Sequence, residues 1–331
     1  MKSKRIGVLM GGLSAERSVS MESGEAVYEA LASRGHDVTR ILVDRDIDQT
    51  LRESSIEVAF NALHGTYGED GCIQGLLEML RIPYTGSGVL ASALAMDKLK
   101  AKELFRLHNV PTPPYYDLGR ADLENLERLH GSFGFPAFVK PRRAGSSVGA
   151  GRANNLHELE SRVRSALRFD RRVLVERHIV GREIAVGVLD GKALGAIEIV
   201  PRGKFYDYDS KYSSGQSDYH FPARLSPTRY KGVLNLAEQA HKSIGATGAT
   251  RIDMLVTEGQ NEFVLEVNTL PGMTPTSLLP KIAAGSGYDF ADLCEAILNR
   301  ADLDVMDQPT GSASTKARGA SETVSLPAEG K

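Results

Sequence analysis

The stretch from Arg251 to Asn268, RIDMLVTEGQNEFVLEVN, constrains this chain more than any other. Two runs with alternating apolar residues flank the turn-rich Glu258-Gly259-Gln260-Asn261, the signature of a β-hairpin. If Thr257 pairs with Glu262, Asp253 lies opposite Glu266 and Arg251 opposite Asn268. Side chains then alternate between two faces. Arg251, Asp253, Glu266 and Asn268 share one face; Ile252, Met254, Val256, Phe263, Leu265 and Val267 share the other, which is the core face. Two carboxylates and an amide oxygen are hard ligands of the kind Mg²⁺ takes, leaving positions for water and phosphate. A cross-strand salt bridge from Arg251 on a solvated face explains the same residues. The next segment, Thr269-Leu270-Pro271-Gly272-Met273-Thr274, favours the metal. It predicts a tight, donor-rich turn where a phosphate or oxyanion can sit.

A chain of 331 residues holds two or three packed units. A hydrophobic content of 41% is ordinary for a soluble protein. A net charge of −2 leaves no electrostatic footprint for nucleic acid. Cys72 and Cys294 lack metal-ligand spacing and are expected to be buried thiols in a reducing compartment. The apolar run at residues 6–10 is too short for a signal peptide, and no run approaches membrane-spanning length. A cytoplasmic protein with no membrane contact is expected.

Strands at residues 6–10, 37–43, 57–63 and 82–84 alternate with helices at 14–34 and 72–80, which predicts a parallel sheet covered on both faces. Ligands bind beyond the carboxyl ends of such strands, where the Gly-rich loops at Gly11-Gly12, His64–Gly71 and Gly86–Gly88 fall. A helix at 95–107 precedes the rigid break Val110–Pro114. Further strands are expected at 137–141 and 172–176, with a helix at 156–169. A hairpin follows over 183–189 and 193–200, then a long loop at 205–215, and helices at 229–244, 277–284 and 290–298. Residues 308–331 have the composition of a disordered tail.

Single motifs here are weak. Gly145-Ser146-Ser147-Val148-Gly149, five residues after Lys140, can fold over phosphates, but it is not a P-loop and is equally explained as a turn. Gly86-Ser87-Gly88 lacks the third glycine of a dinucleotide fingerprint. Lys140 sits in the apolar run Ala137–Pro141, where a charge needs a partner; a phosphate would supply one. Glu176 and Glu183 flank Ile179-Val180 and could meet an adenine amino group and a ribose, or simply be solvated. His64 could equally be a loop histidine with a backbone partner.

Taken together, these segments resemble the D-alanine–D-alanine ligase family of ATP-grasp enzymes. The matching pieces are GGLSAERSVS from Gly11, His64-Gly-x-x-Gly-Glu-Asp-Gly71 with Gln74-Gly75, and Tyr84–Gly88 through Met96-Asp97-Lys98. Lys140-Pro141 with Gly145–Gly149, Phe205–Tyr212, Arg251-Ile252-Asp253 and Glu266–Thr274 with Ser277-Leu278 follow in order over residues 6–302. Ala144 stands where many relatives carry a polar residue. The resemblance implies an α/β ATP-grasp fold: an N-terminal parallel-sheet domain (1–110), central (111–180) and C-terminal (181–307) α+β subdomains, and the tail (308–331). It implies ATP-driven joining of two D-alanines through an acyl phosphate, for cell-wall peptidoglycan, in a homodimer. D-lactate or D-serine as second substrate is the alternative. Asp253, Glu266 and Asn268 would hold two Mg²⁺ or Mn²⁺. Arg251 and the Gly272 backbone would bind the oxyanion. Lys98 and Lys140 would hold the ATP phosphates, Glu176, Ile179 and Glu183 the adenosine, and Tyr206 and Lys211 would also contact ATP. Glu16 and His64 would bind the first D-alanine; Ser277, Leu278 and Lys211 the second carboxylate. Ser146 and Tyr212, linked to Glu16, would orient the second substrate.

Overall fold

The computed structural model describes residues 4–143, 145, 149–202, 217–259 and 261–305. The chain opens with β1 (Arg5–Gly11), α1 (Arg17–Ser33), β2 (Asp37–Val43), α2 (Ile47–Ser54) and β3 (Val58–Asn61). Their strands pair in parallel in the order β2-β1-β3. The parallel arrangement follows from the helix that each crossover contains. Helices α3 (Cys72–Leu80), α4 (Val89–Met96) and α5 (Lys98–Leu107) come next.

The second sheet is antiparallel, in the order β4-β7-β5-β6. It comprises β4 (Tyr115–Gly119), β5 (Ala137–Pro141), β6 (Gly151–Ala153) and β7 (Arg172–Arg177), with α6 (Leu126–His130) and α7 (Leu156–Ala166) between them. The third sheet, also antiparallel, has the order β10-β9-β8-β11-β12. Its strands are β8 (Arg182–Leu189), β9 (Lys192–Pro201), β10 (Ser217–His220), β11 (Ala249–Val256) and β12 (Glu262–Asn268), and α8 (Pro227–Ser243) precedes the last two. Finally α9 (Leu278–Gly285) and α10 (Phe290–Leu298) return to the first sheet. Leu279, Leu293 and Ile297 share a core with Ile6, Val8, Val27 and Phe60. That return brings the turn after β12 against the loops that follow β1 and β3.

Four expectations need correction. Residues 82–84 form no strand: Tyr84 makes only single bridges, to Ala59 and Asp302. Pro83 has no N–H with which to extend a ladder. The helix expected at 95–107 is two helices broken at Asp97, whose extended backbone (ψ 95°) and carboxylate, accepting from Lys100 N at 3.2 Å, cap α5. In the 251–268 hairpin, Asp253 does face Glu266 and Arg251 does face Asn268, but Glu262 pairs with Val256, not Thr257. A bulge at the Asp253/Met254 step leaves Leu265 as the extra residue of β12. Val264 and Val267 are therefore the buried side chains, while Phe263 and Leu265 are partly exposed. Cys72 is exposed, and only Cys294 is a buried thiol.

Candidate active site

The bulged hairpin sets the centre of the site. Arg251 Nε and Nη2 donate to Asp253 Oδ1 and Oδ2 at 2.7 and 2.9 Å, a fork along one strand instead of the cross-strand bridge. Asn268 Nδ2 donates to Asp253 Oδ2 and to the Arg251 carbonyl, both at 3.2 Å. Glu266, directly across from Asp253, has Lys98 Nζ 3.7 Å from its Oε2. Among the described residues no three His, Cys, Asp or Glu side chains cluster as a metal cage. Two cross-strand carboxylates with the Asn268 amide nonetheless form an oxygen donor set that suits Mg²⁺, which keeps several positions for water and phosphate.

Past β12, the turn brings its own donors. Ser277 caps α9 with extended backbone, and its Oγ accepts from Thr274 N at 3.1 Å and lies 2.8 Å from Thr274 Oγ1. A Cβ on Gly272 would fall 2.7 Å from Ser277 Oγ, so glycine lets that turn close. The start of α9, with Ser277 and Leu278, lines the cleft, where a helix N-terminus offers backbone N–H groups to an anion.

Opposite stands the end of the first sheet. Ser14 Oγ donates to the His64 carbonyl at 2.6 Å and accepts from Glu16 N at 3.1 Å, which ties Glu16 to the loop after β3. His64 is buried; its Nε2 lies 3.1 Å from Ser23 Oγ and its Nδ1 3.2 Å from Glu69 Oε1. With Nδ1 protonated, Glu69 accepts and Ser23 donates, so both ring nitrogens are satisfied. The Glu16 carboxylate lies against two glycines. A Cβ on Gly65, which has φ +70°, would meet Glu16 Oε2 at 2.6 Å, and one on Gly145 would meet it at 2.8 Å.

One cleft gathers Glu16, His64, Lys98, Arg251, Glu266, Asn268, Gly272, Ser277 and Leu278 on its walls. Asp253 sits behind Arg251, 8% exposed. Lys140 and Glu176 stand apart in a second cluster. Glu176 is 2% exposed, with Lys140 Nζ 2.9 Å from one carboxylate oxygen and Lys102 Nζ 3.0 Å from the other. The partner that Lys140 needs is thus supplied by the protein itself. Ile179 is half-buried on the connection from β7 to β8, and Glu183 half-buried on β8. Ser146, Tyr206, Lys211 and Tyr212, like Ala144 and the 308–331 segment, lie outside the described residues. A third network ties the clusters together: Arg142 Nε donates to Asp97 at 2.6 Å, and Lys98 N to the Arg142 carbonyl at 3.0 Å. Burial pushes the Asp97 carboxyl up, but the Arg142 hydrogen bond, the Lys100 N–H and the charges of Arg142 and Arg143 together outweigh it and hold the group below its usual range.

Two site residues escaped the sequence reading. Glu69 lies inside the His64–Gly71 loop, where the sequence alone gives it no partner. Lys102 was hidden in a helix, although its position four residues after Lys98 and beside the buried Ala101 and Phe105 places it on the inward face.

Family models described as "D-ala D-ala ligase N-terminus" and "D-ala D-ala ligase C-terminus" match residues 45–87 and 104–299. A D-alanine--D-alanine ligase of Geotalea uraniireducens is 53% identical over 92% of this chain and 98% of its own. The solved D-alanine--D-alanine ligase of Bacillus anthracis superposes with a TM-score of 0.82 at 36% identity, covering 90% of this chain and 97% of that one. Its complex with ATP gives 0.80 at 33%, with the same coverage. A D-Ala:D-Ser ligase, VanG of Enterococcus faecalis, gives 0.79 at 30%, covering 90% and 99%.

Proposed function

This chain belongs to the D-alanine–D-alanine ligase family, and from that premise we propose how its residues carry out the reaction. The protein is an ATP-grasp ligase that makes D-alanyl-D-alanine for peptidoglycan synthesis, forming ADP and phosphate. The convergence of Glu16, Arg251, Glu266, Gly272 and Ser277 on one cleft carries the reading.

Glu16, held by Ser14 beside Gly65, receives the ammonium of the first D-alanine, and the buried His64–Glu69 pair shapes the wall behind it. The carboxylate of that D-alanine attacks the γ-phosphate and becomes an acyl phosphate. Lys98 and Lys140 neutralise the phosphates. The amine of the second D-alanine, whose carboxylate is held by Ser277, the Leu278 N–H and Lys211, attacks the acyl carbon. Negative charge then builds on the carbonyl oxygen. Arg251, braced against Asp253 through Nε and Nη2, donates to that oxyanion together with the Gly272 N–H. Ser146 and Tyr212 orient the attacking amine. Tyr206 and Lys211 contact ATP, and Glu176, Ile179 and Glu183 hold its adenosine.

Asp253, Glu266 and Asn268 have the donor chemistry for two Mg²⁺ or Mn²⁺, which when bound neutralise the phosphate charge that develops during transfer. The same reading keeps the units 1–110, 111–180 and 181–307 and the tail 308–331, and places a homodimer in the cytoplasm. No helix among the described residues is long and apolar enough to cross a membrane.

Glu266→Gln tests this function. Replacing one carboxylate by an amide should nearly abolish D-alanine-dependent ADP release while the protein stays folded, a loss of several kcal/mol in the transition state. Near-normal activity of the variant at limiting Mg²⁺ would remove Glu266 from the ligand set.

A further inference from the structure

Lys102 is a wholly buried lysine to which the reaction above assigns nothing. It lies one turn after Lys98 in α5, and its ammonium is the inner of two on Glu176, at 3.0 Å; Lys140 is the outer, at 2.9 Å. Side-chain exposure separates them: none for Lys102, 12% for Lys140. Only Lys140 can therefore turn toward a phosphate in solvent. Once it does, a carboxylate that is 2% exposed needs another counter-charge, since an unpaired buried charge costs several kcal/mol. Lys102 also donates to Thr112 Oγ1, which donates to the Val264 carbonyl at 2.8 Å. Val264 borders the β12 bulge, two residues before Glu266. One chain of contacts thus runs from the Glu176 carboxylate to the strand that carries Glu266.

We propose that Lys102 is a positioning residue for ATP: it keeps Glu176 ionised and fixed from the inner side, so that Lys140 can leave for the phosphates, and it anchors that carboxylate to β12 through Thr112. The inference rests on the proposed roles of Lys140 and Glu176 at ATP. The electrostatics agree with the geometry. Burial pushes the Glu176 carboxyl up, and the two ammonium groups, Lys102 before Lys140, outweigh it and hold the group below its usual range. Lys102 is pressed down to about 8, by burial first and by Lys140, against the pull of Glu176 and the more distant Glu266.

The test compares the full chain with Lys102→Met, which keeps the length and loses the charge. In the variant Lys140 becomes the one cation on Glu176 among the described residues and is withheld from the phosphates. The KM for ATP should rise about tenfold or more, as expected for losing a hydrogen bond to a charged group. The KM for D-alanine, and kcat at saturating ATP, should not move. A folded variant with an unchanged ATP KM, or with both KM values raised alike, would overturn the proposal. If Lys102→Met alone does not fold, the same change is made in Glu176→Gln, where no carboxylate remains to be held. Equal ATP affinity with and without Lys102 then supports the proposal, and a further loss overturns it. Titration calorimetry with ATP reads the affinity without turnover. An unaltered protein that binds ATP but releases no ADP with D-alanine would count against the proposed function, while a calorimetric ATP affinity that falls in Lys102→Met would still support the proposal and an equal one would overturn it.

Discussion

Replacing Arg251 by lysine keeps the charge and removes the fork. In the structure two guanidinium N–H groups are held by Asp253 at 2.7 and 2.9 Å, and both side chains are nearly buried, 14% and 12% exposed. A lysine offers three donors on a single nitrogen, so it cannot brace both Asp253 oxygens and also reach the oxyanion. Losing one oxyanion donor costs about 2.7–4 kcal/mol, or about 10²–10³ in kcat. The ground-state loss is one charge-assisted bond, about 1.5–3 kcal/mol, which should lower the melting temperature by several degrees. Steady-state ADP release, with ATP and D-alanine varied separately, reads the catalytic part. The expected pattern is a large fall in kcat with small changes in both KM values, because the interaction is made in the transition state. A kcat within about threefold of the unaltered enzyme, less than 1 kcal/mol, would refute the oxyanion role.

Three further outcomes follow from other parts of the molecule. Gly65→Ala places a methyl group 2.6 Å from Glu16 Oε2 at a φ of +70°, so the KM for the first D-alanine should rise while that for ATP stays put, which initial-rate kinetics will check. Burial raises the Glu198 carboxyl, but hydrogen bonds from Arg182 and Arg224 outweigh it and hold the group at about 2, below its ordinary 4.5. That stabilisation is complete above pH 4.5 and is lost as pH falls toward 2, so denaturation curves of Glu198→Gln should show a deficit of about 2 kcal/mol near neutrality that closes across that window. Tyr212→Phe should raise ester over amide product when D-alanine and D-lactate compete, most at low pH where free amine is scarce, and mass spectrometry of the product ratio will read it.

The hairpin shows how far sequence carries and where it stops. Period-two alternation fixed the pairing of Asp253 with Glu266 and Arg251 with Asn268, because both lie between the strand ends and the bulge. The bulge itself has no glycine to announce it, so the inward residues beyond it were misassigned by one position: Val264, not Phe263 and Leu265, fills the core. Asp97 illustrates a different limit. Two helical segments meet there without proline or glycine, and only the carboxylate on Lys100 N reveals the break that points Lys98 at Glu266. Among the described residues, the motif residues Glu16, His64, Arg251, Glu266 and Ser277 were legible as candidates and do line one cleft. Lys102 was not, since a lysine in an amphipathic helix reads as solvent-facing until tertiary packing supplies a buried carboxylate from another sheet.

This cleft is proposed to join two D-alanines at the expense of ATP. The most direct test incubates the purified protein with ATP, Mg²⁺ and equal D-alanine, D-serine and D-lactate, and follows nucleotide and product by mass spectrometry. The account predicts D-alanyl-D-alanine as the main product, with one ADP formed per dipeptide. ADP release that does not depend on D-alanine, or a mixed dipeptide or ester as the main product, would contradict it.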